Sequence, residues 1–273
     1  MRIAIVMFLL MSCSLAALQF PRSVAFLYHG KPSESAYRYF DWIVVDPNDL
    51  ETEDFVRRKN LVFAYLNVGE AEKLSPSLNR QWVIGRNDLW NSYIMDIRVR
   101  EYREYLFRKI EREIVPKKFA GIFLDTLDSY QLVLKGKDAE EYEIALADFI
   151  IQLSNRYPHL RILVNRAFHI LDNIEHLISG FVFEGLYSTW EKTKDNKVNY
   201  FSVPENLTQF YIPKLKSIKK KGIPVIVIDY TDIRNKKQVK ELIEKISNHG
   251  FIPYISVRNL DTLGYGPLNI PSN

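Results

Sequence analysis

Apolar residues in this chain fall into short unbroken runs separated by stretches with helical spacing. The runs cover residues 23–28, 42–46, 61–70, 93–96, 119–125, 161–165, 180–184, 224–230 and 251–256. Apolar runs of this length without alternation predict strands buried on both faces, as in a parallel sheet covered by helices. Between them, residues 34–40, 51–58, 99–114, 140–157, 170–177, 206–221 and 236–248 carry apolar positions near a 3.6-residue period and predict helices. Strand and helix alternate almost throughout, so the class is α/β.

A (β/α)8 barrel needs eight strands, and nine runs qualify. The expectation is a TIM (β/α)8 barrel with one extra strand or hairpin and long loops on its active face. The runs at Tyr93 and at Phe251, which contains Pro253, are equal candidates for the extra strand. A doubly wound sheet is disfavoured, because no glycine-rich phosphate loop follows the first strand. Two segments, 71–91 and 185–205, show no clear period and predict long loops.

Several strands end in a polar residue. Their carboxyl ends read Tyr28, Asp46, Asn67 with Glu70, Asp96, Asp125 with Asp128, Asn165, Glu184, and Asp229 with Tyr230. In a barrel these ends build the active site. Each acid also has a capping reading, which is strongest for Asp46, Asp96, Asp128 and Asp232. Asp125 and Glu184 differ from the rest, because each closes the same phrase of glycine, three apolar residues and acid. If Asn165 lies on the strand between them, the two acids stand on alternate strands and reach over one pocket. Paired carboxylates of this kind serve glycoside hydrolysis, retaining or inverting according to their separation. The five histidines have no metal-ligand spacing and there is no G-x-S-x-G elbow, so zinc and serine hydrolase chemistry are not indicated.

The 273 residues suffice for one large core, and the net charge of +4 is mild, with a basic run at Lys219 to Lys221. That run reads as a solvated helix end, so no nucleic-acid partner is expected. Residues 1–17 join Arg2, an apolar segment and a small-residue stretch, the pattern of an export signal. Cleavage after Ala16 or lipid attachment at the single cysteine, Cys13, are the two processing routes, and an uncleaved segment would be a membrane tether. Residues 18–273 then form a single domain that is secreted or associated with the cell envelope, expected to be a monomer without a cofactor or metal.

The motifs Phe63-Ala-Tyr-Leu-Asn-Val-Gly-Glu70, Gly121-Ile-Phe-Leu-Asp-Thr126, Leu163-Val-Asn165, Phe181-Val-Phe-Glu184 and Phe251-Ile-Pro-Tyr-Ile-Ser256 together resemble glycoside hydrolase family 114. They are most like its bacterial, thermophile-type members. The family is related to endo-α-1,4-polygalactosaminidases, and the resemblance covers nearly all of residues 18–273. It implies a TIM barrel, secretion, and hydrolysis of an α-1,4-linked galactosamine-rich polysaccharide. It places the acidic pair on Asp125 and Glu184, as nucleophile and acid/base if the enzyme is retaining. It makes Tyr28, Asp46, Asn67, Glu70, Asp128, Asn165, Tyr187 and Tyr230 substrate-binding candidates. Trp82, Trp90 and Trp190 are candidates for stacking on sugar rings. Two other readings use the same barrel: a non-catalytic carbohydrate-binding envelope protein, and a metal-dependent polysaccharide hydrolase using Asp125, Asp128 and Glu184.

Overall fold

The computed structural model describes residues 20–75, 78–195 and 197–271. The expected export signal and Cys13 lie outside the described residues. In chain order the strands are β1 (Val24–Leu27), β2 (Trp42–Val45), β3 (Leu61–Asn67), β4 (Glu70–Ala71), β5 (Val83–Asn87), β6 (Ser92–Met95), β7 (Gly121–Asp125), β8 (Arg161–Asn165), β9 (Gly180–Glu184), β10 (Ser188–Lys192), β11 (Val198–Ser202), β12 (Val225–Tyr230) and β13 (Ile252–Ser256). The helices are α1 (Glu34–Tyr39), α2 (Thr52–Phe55), α3 (Arg100–Glu113), α4 (Gly136–Arg156), α5 (Leu171–Ile174), α6 (Glu205–Lys220) and α7 (Lys236–Ser247).

Eight strands form one sheet in the order β1-β2-β3-β7-β8-β9-β12-β13, with every pairing parallel. The sheet curls until its ends meet. Across the seam, Tyr28 N–H donates to the Leu260 carbonyl (2.8 Å) and the Tyr254 hydroxyl to the Phe26 carbonyl (2.9 Å). This is the expected (β/α)8 barrel. The burial that the apolar runs demanded is met: Val24 to Phe26, Ile43 to Val45, Ile122 to Leu124 and Val225 to Ile228 are buried. Phe26, Tyr65 and Phe123 pack ring to ring, with Phe123 at 5.3 Å from Phe26 and 6.1 Å from Tyr65.

The ambiguity over the extra strand resolves physically. The Phe251 run supplies β13, the eighth barrel strand, and tolerates Pro253 because β13 is laddered to β12 alone and its other side faces the seam. The Tyr93 run is β6, outside the barrel, antiparallel to both β4 and β5. The segment 71–91 is therefore not plain loop. It holds β5 and a 3-10 turn at Arg80–Trp82. The segment 185–205 is likewise a hairpin, β10 against β11. Neither showed a period because these small sheets are only half buried and lack a continuous apolar face. Two predicted helices shorten, 51–58 to α2 and 170–177 to α5.

Candidate active site

The polar strand ends converge as the barrel topology requires. Asp125 ends β7, Glu184 ends β9, and Asn165 ends β8 between them. Period two puts Phe123 and Asp125, Leu163 and Asn165, Tyr65 and Asn67 on interior-facing positions. The side-chain amide of Asn165 joins the two acids: its nitrogen donates to Asp125 Oδ1 (2.7 Å) and to Glu184 Oε1 (2.6 Å). Those two oxygens are thus no farther apart than the sum of the two bonds. That bound applies to one oxygen of each acid and is compatible with the roughly 5–5.5 Å carboxyl separation of retaining glycosidases.

The two acids sit in different surroundings. Asp125 accepts three hydrogen bonds, from Asn165, from Thr126 N–H (2.7 Å) and from the Tyr65 hydroxyl (3.1 Å). Its carboxyl is raised above its ordinary value by burial, and these three donors oppose that rise. Glu184 accepts from Asn165 and from the Tyr230 hydroxyl. Burial, then the charge of Asp125, pushes Glu184 up to about 7, opposed by Tyr230, Arg166 and Asn165. Among the described residues neither acid forms an ion pair. The phenols of Tyr28, Tyr65 and Tyr230 are pushed well above their ordinary value, first by burial and then by the acids, so they stay neutral donors. Three buried polar atoms of residues lining this site have no partner among the described residues: Tyr28 Oη, Asn165 Oδ1 and Arg258 Nε.

Thr126 sets the Asp125 turn. It is β-branched yet has φ of 61°, a left-handed conformation that costs about 1–3 kcal/mol. Its Oγ1 accepts from Gly69 N–H (2.8 Å) and lies 2.6 Å from Asn67 Oδ1. Gly69 has to be glycine here, because a Cβ would lie 2.1 Å from the Thr126 carbonyl oxygen. Asn67 Oδ1 also accepts from Glu70 N–H (2.8 Å). Buried Glu70 binds Asn87 Nδ2 (2.9 Å), Ser92 Oγ and Ser129 Oγ (2.5 Å), which pins the β4–β6 sheet against the barrel mouth.

These residues line a cavity of about 1010 Å³. Of the sequence candidates, Tyr28, Asn67, Glu70, Asp125, Asp128, Asn165, Glu184 and Tyr230 lie on it. Two do not. Asp46 lines a smaller neighbouring pocket of about 290 Å³, where its carboxylate accepts from Asn48 N–H at 2.8 Å. The Tyr187 hydroxyl turns away to His249 Nε2 (2.6 Å), because buried Asp229 gathers the backbone N–H groups of Leu186, Tyr187 and Ser188 and fixes the chain there. Trp82 packs on Tyr102 and Tyr105, whereas Trp90 and Trp190 line the cavity. The turn-capping reading holds for Asp46, Asp96 and Asp232, each of which accepts the N–H two residues on. Asp128 instead pairs with Arg166 (3.0 Å).

Sequence reasoning missed Tyr65, Thr126, Arg166 and Arg258. Tyr65 had a signal, since it shares a face with Asn67 two residues on. Arg166 follows Asn165 directly, but nothing local showed that its guanidinium would reach Asp128 and the Glu184 carbonyl (3.2 Å). Among the described residues no group of three or more His, Cys, Asp or Glu is arranged to hold a metal ion. No helix among them is long and apolar enough to cross a membrane.

The chain matches the profile of the glycoside-hydrolase family GH114 over residues 12–268. Its structure is similar to the glycoside hydrolase domain of PelA from Pseudomonas aeruginosa, at 30% identity and a TM-score of 0.81, covering 90% of this chain and 98% of that one. It is also similar to Ega3 from Aspergillus fumigatus, solved with galactosamine, at 14% identity and a TM-score of 0.64, covering 89% and 93%. The second likeness bears on the fold alone. Among curated protein sequences none matches.

Proposed function

The chain belongs to glycoside-hydrolase family GH114 and is a glycosidase acting on carbohydrate, and from that premise we propose a retaining hydrolysis of an α-1,4-linked galactosamine-rich polysaccharide by Asp125 and Glu184. The observation that carries this reading is the Asn165 amide nitrogen bonded to both carboxylates at once. It supports a separation too short for a water to stand between acid and base, as inversion requires.

The different surroundings of the two acids support the roles. Asp125, with three donors, is the nucleophile: Oδ2 or Oδ1 attacks the anomeric carbon as the bond to the leaving oxygen breaks. Glu184, pushed up to about 7, gives its proton to that oxygen, so the departing sugar leaves as an alcohol. Glu184, now a carboxylate, takes a proton from water, whose oxygen attacks the glycosyl–Asp125 ester and restores both groups. Tyr65 and Tyr230 follow the charge of the acid each one touches. Burial keeps them protonated, so they need no reorganisation during the reaction.

The galactosamine assignment draws on the resemblance to endo-α-1,4-polygalactosaminidase-related sequences and on polar atoms of this site. Asn165 Oδ1 is an acceptor without a partner among the described residues beside two acids, which suits a substrate ammonium or hydroxyl. Tyr28, Asn67, Glu70, Asp128 and Tyr230 then form or support the substrate pocket. Residues 1–17 act as the export signal, and residues 18–273 work as a monomeric single domain outside the cytoplasm, with Cys13 the attachment point if the chain is lipidated.

The test is hydrolysis of a galactosamine-rich polysaccharide by residues 18–273, beside Asp125→Asn and Glu184→Gln, with the anomer of the first product followed by NMR. Cleavage with retained configuration, lost in both variants while they remain folded, is the expected result. An inverted first product would refute the nucleophile role. Undiminished activity in either variant would remove that residue from the mechanism.

A further inference from the structure

Trp90, in the turn between β5 and β6, and Trp190, on β10, meet edge to face with ring centroids 4.9 Å apart. The Arg258 guanidinium, from the loop after β13, lies 4.2 Å from each indole centroid. Its backbone N–H donates to Tyr200 Oη on β11 (3.2 Å). Among the described residues no carboxylate pairs with Arg258; its guanidinium is held by the two indole faces and by Asn259, whose Oδ1 accepts from it at 2.9 Å.

The three parts come from distant places on the barrel. Trp90 belongs to the excursion after β3, the third barrel strand. Trp190 belongs to the hairpin after β9, the sixth, and Arg258 follows β13, the eighth. The third and sixth strands stand nearly opposite in a ring of eight. Excursions rooted there touch only by crossing the barrel mouth. All three residues line the cavity that holds Asp125 and Glu184. The cleft over the acids is therefore bridged from wall to wall. The bridge is thin, since Trp90 is still 43% exposed.

We propose that Trp90, Arg258 and Trp190 form a clasp that closes over a bound polysaccharide chain, so that the enzyme makes several cuts before it lets the chain go. This rests on the reading of the substrate as a polysaccharide. Between cuts, the retained fragment slides beneath indole faces that offer contact without fixed hydrogen-bond direction. Retention replaces a second encounter in solution with an intramolecular one at high effective concentration.

The experiment follows reducing ends and viscosity together during digestion of soluble α-1,4-linked galactosamine-rich polysaccharide. The proteins compared are the wild type, Trp90→Ala, Trp90→Phe and Arg258→Met, each checked for folding by circular dichroism. The wild type is expected to release about threefold or more reducing ends per unit fall in viscosity than Trp90→Ala or Arg258→Met, because a retained chain is cut repeatedly near one place. Trp90→Phe keeps a ring and stays near the wild type. If Trp90→Ala does not fold, Arg258→Met opens the clasp with both indoles in place. Equal ratios in the wild type and the folded variants would overturn the proposal. If the wild type leaves the galactosamine polymer intact, the substrate reading fails by itself. The same ratio is then read on whichever soluble polysaccharide of an α-linked panel the enzyme cleaves.

Discussion

Removing one phenolic oxygen should move one limb of the pH–rate profile and leave the other in place. The Tyr230 hydroxyl donates to Glu184 Oε2, and this bond favours the charged carboxylate. In Tyr230→Phe that support is gone, and Glu184, already pushed up to about 7, rises further. A hydrogen bond to a charged group contributes about 1.5–3 kcal/mol, and one pKa unit corresponds to about 1.36 kcal/mol, so the rise is roughly one to two units. Glu184 must be protonated to act as the acid, so activity is lost as pH climbs through its pKa. The alkaline limb therefore moves upward, toward roughly pH 8 to 9. Tyr230 itself cannot produce this limb, because its own phenol is pushed well above 10. Tyr65→Phe provides the contrast: it removes a donor from Asp125, so the acidic limb moves up and the bell narrows from that side. The two limbs are apparent values of the coupled pair. The assay is kcat/KM on the polysaccharide from about pH 4 to about pH 10 for the wild type and both variants. A fall in rate from a misplaced acid would not shift a limb. An alkaline limb of Tyr230→Phe that stays in place or moves down would refute the role of Glu184 as the acid.

Further outcomes follow from the same site. Glu184 has a folded-state pKa above its ordinary value, so the folded protein holds an extra proton and loses stability as pH rises from about 4.5 through about 7. Glu184→Gln should remove that loss and stabilise the protein by roughly 1–3 kcal/mol above neutrality and by little near pH 5. Paired thermal melts at the two pH values check this, and equal shifts at both would contradict it. Gly69→Ala should cost about 1–3 kcal/mol, because its methyl must displace the Thr126 carbonyl, and should lower kcat by disturbing Asp125; urea denaturation and kinetics read the two effects. Ser129→Ala leaves buried Glu70 one donor short, and its cost of about 1–3 kcal/mol should appear as earlier protease cleavage within residues 70–95 than elsewhere in the barrel.

The sequence by itself determined the barrel and which polar residues gather at its mouth. Runs such as 122–124 and 225–228 are apolar without alternation, so they require burial on both faces, and only a helix-covered parallel sheet supplies that. A polar residue at the end of such a run leaves the core at the barrel mouth, which is why Asp125, Asn165, Glu184 and Tyr230 are legible in the sequence. Tertiary structure decided everything that depends on a partner far along the chain. Proline in β13 is harmless because of the seam, and β6 leaves the barrel because β4 and β5 take its edges; no local pattern carries either fact. The strand ends at 46 and 184 both close in an acid, yet Asp46 receives the N–H of Asn48 while Glu184 meets Asn165 and Tyr230. Tyr187 is a substrate-binding candidate through the family resemblance, yet the buried carboxylate of Asp229, 42 residues away, fixes its backbone and its hydroxyl meets His249 instead. The different hydrogen-bond partners of Asp125 and Glu184, and the meeting of Trp90 with Trp190, arise the same way. Each is set by groups brought together in space by closure of the barrel, and the order of residues along one strand does not encode it.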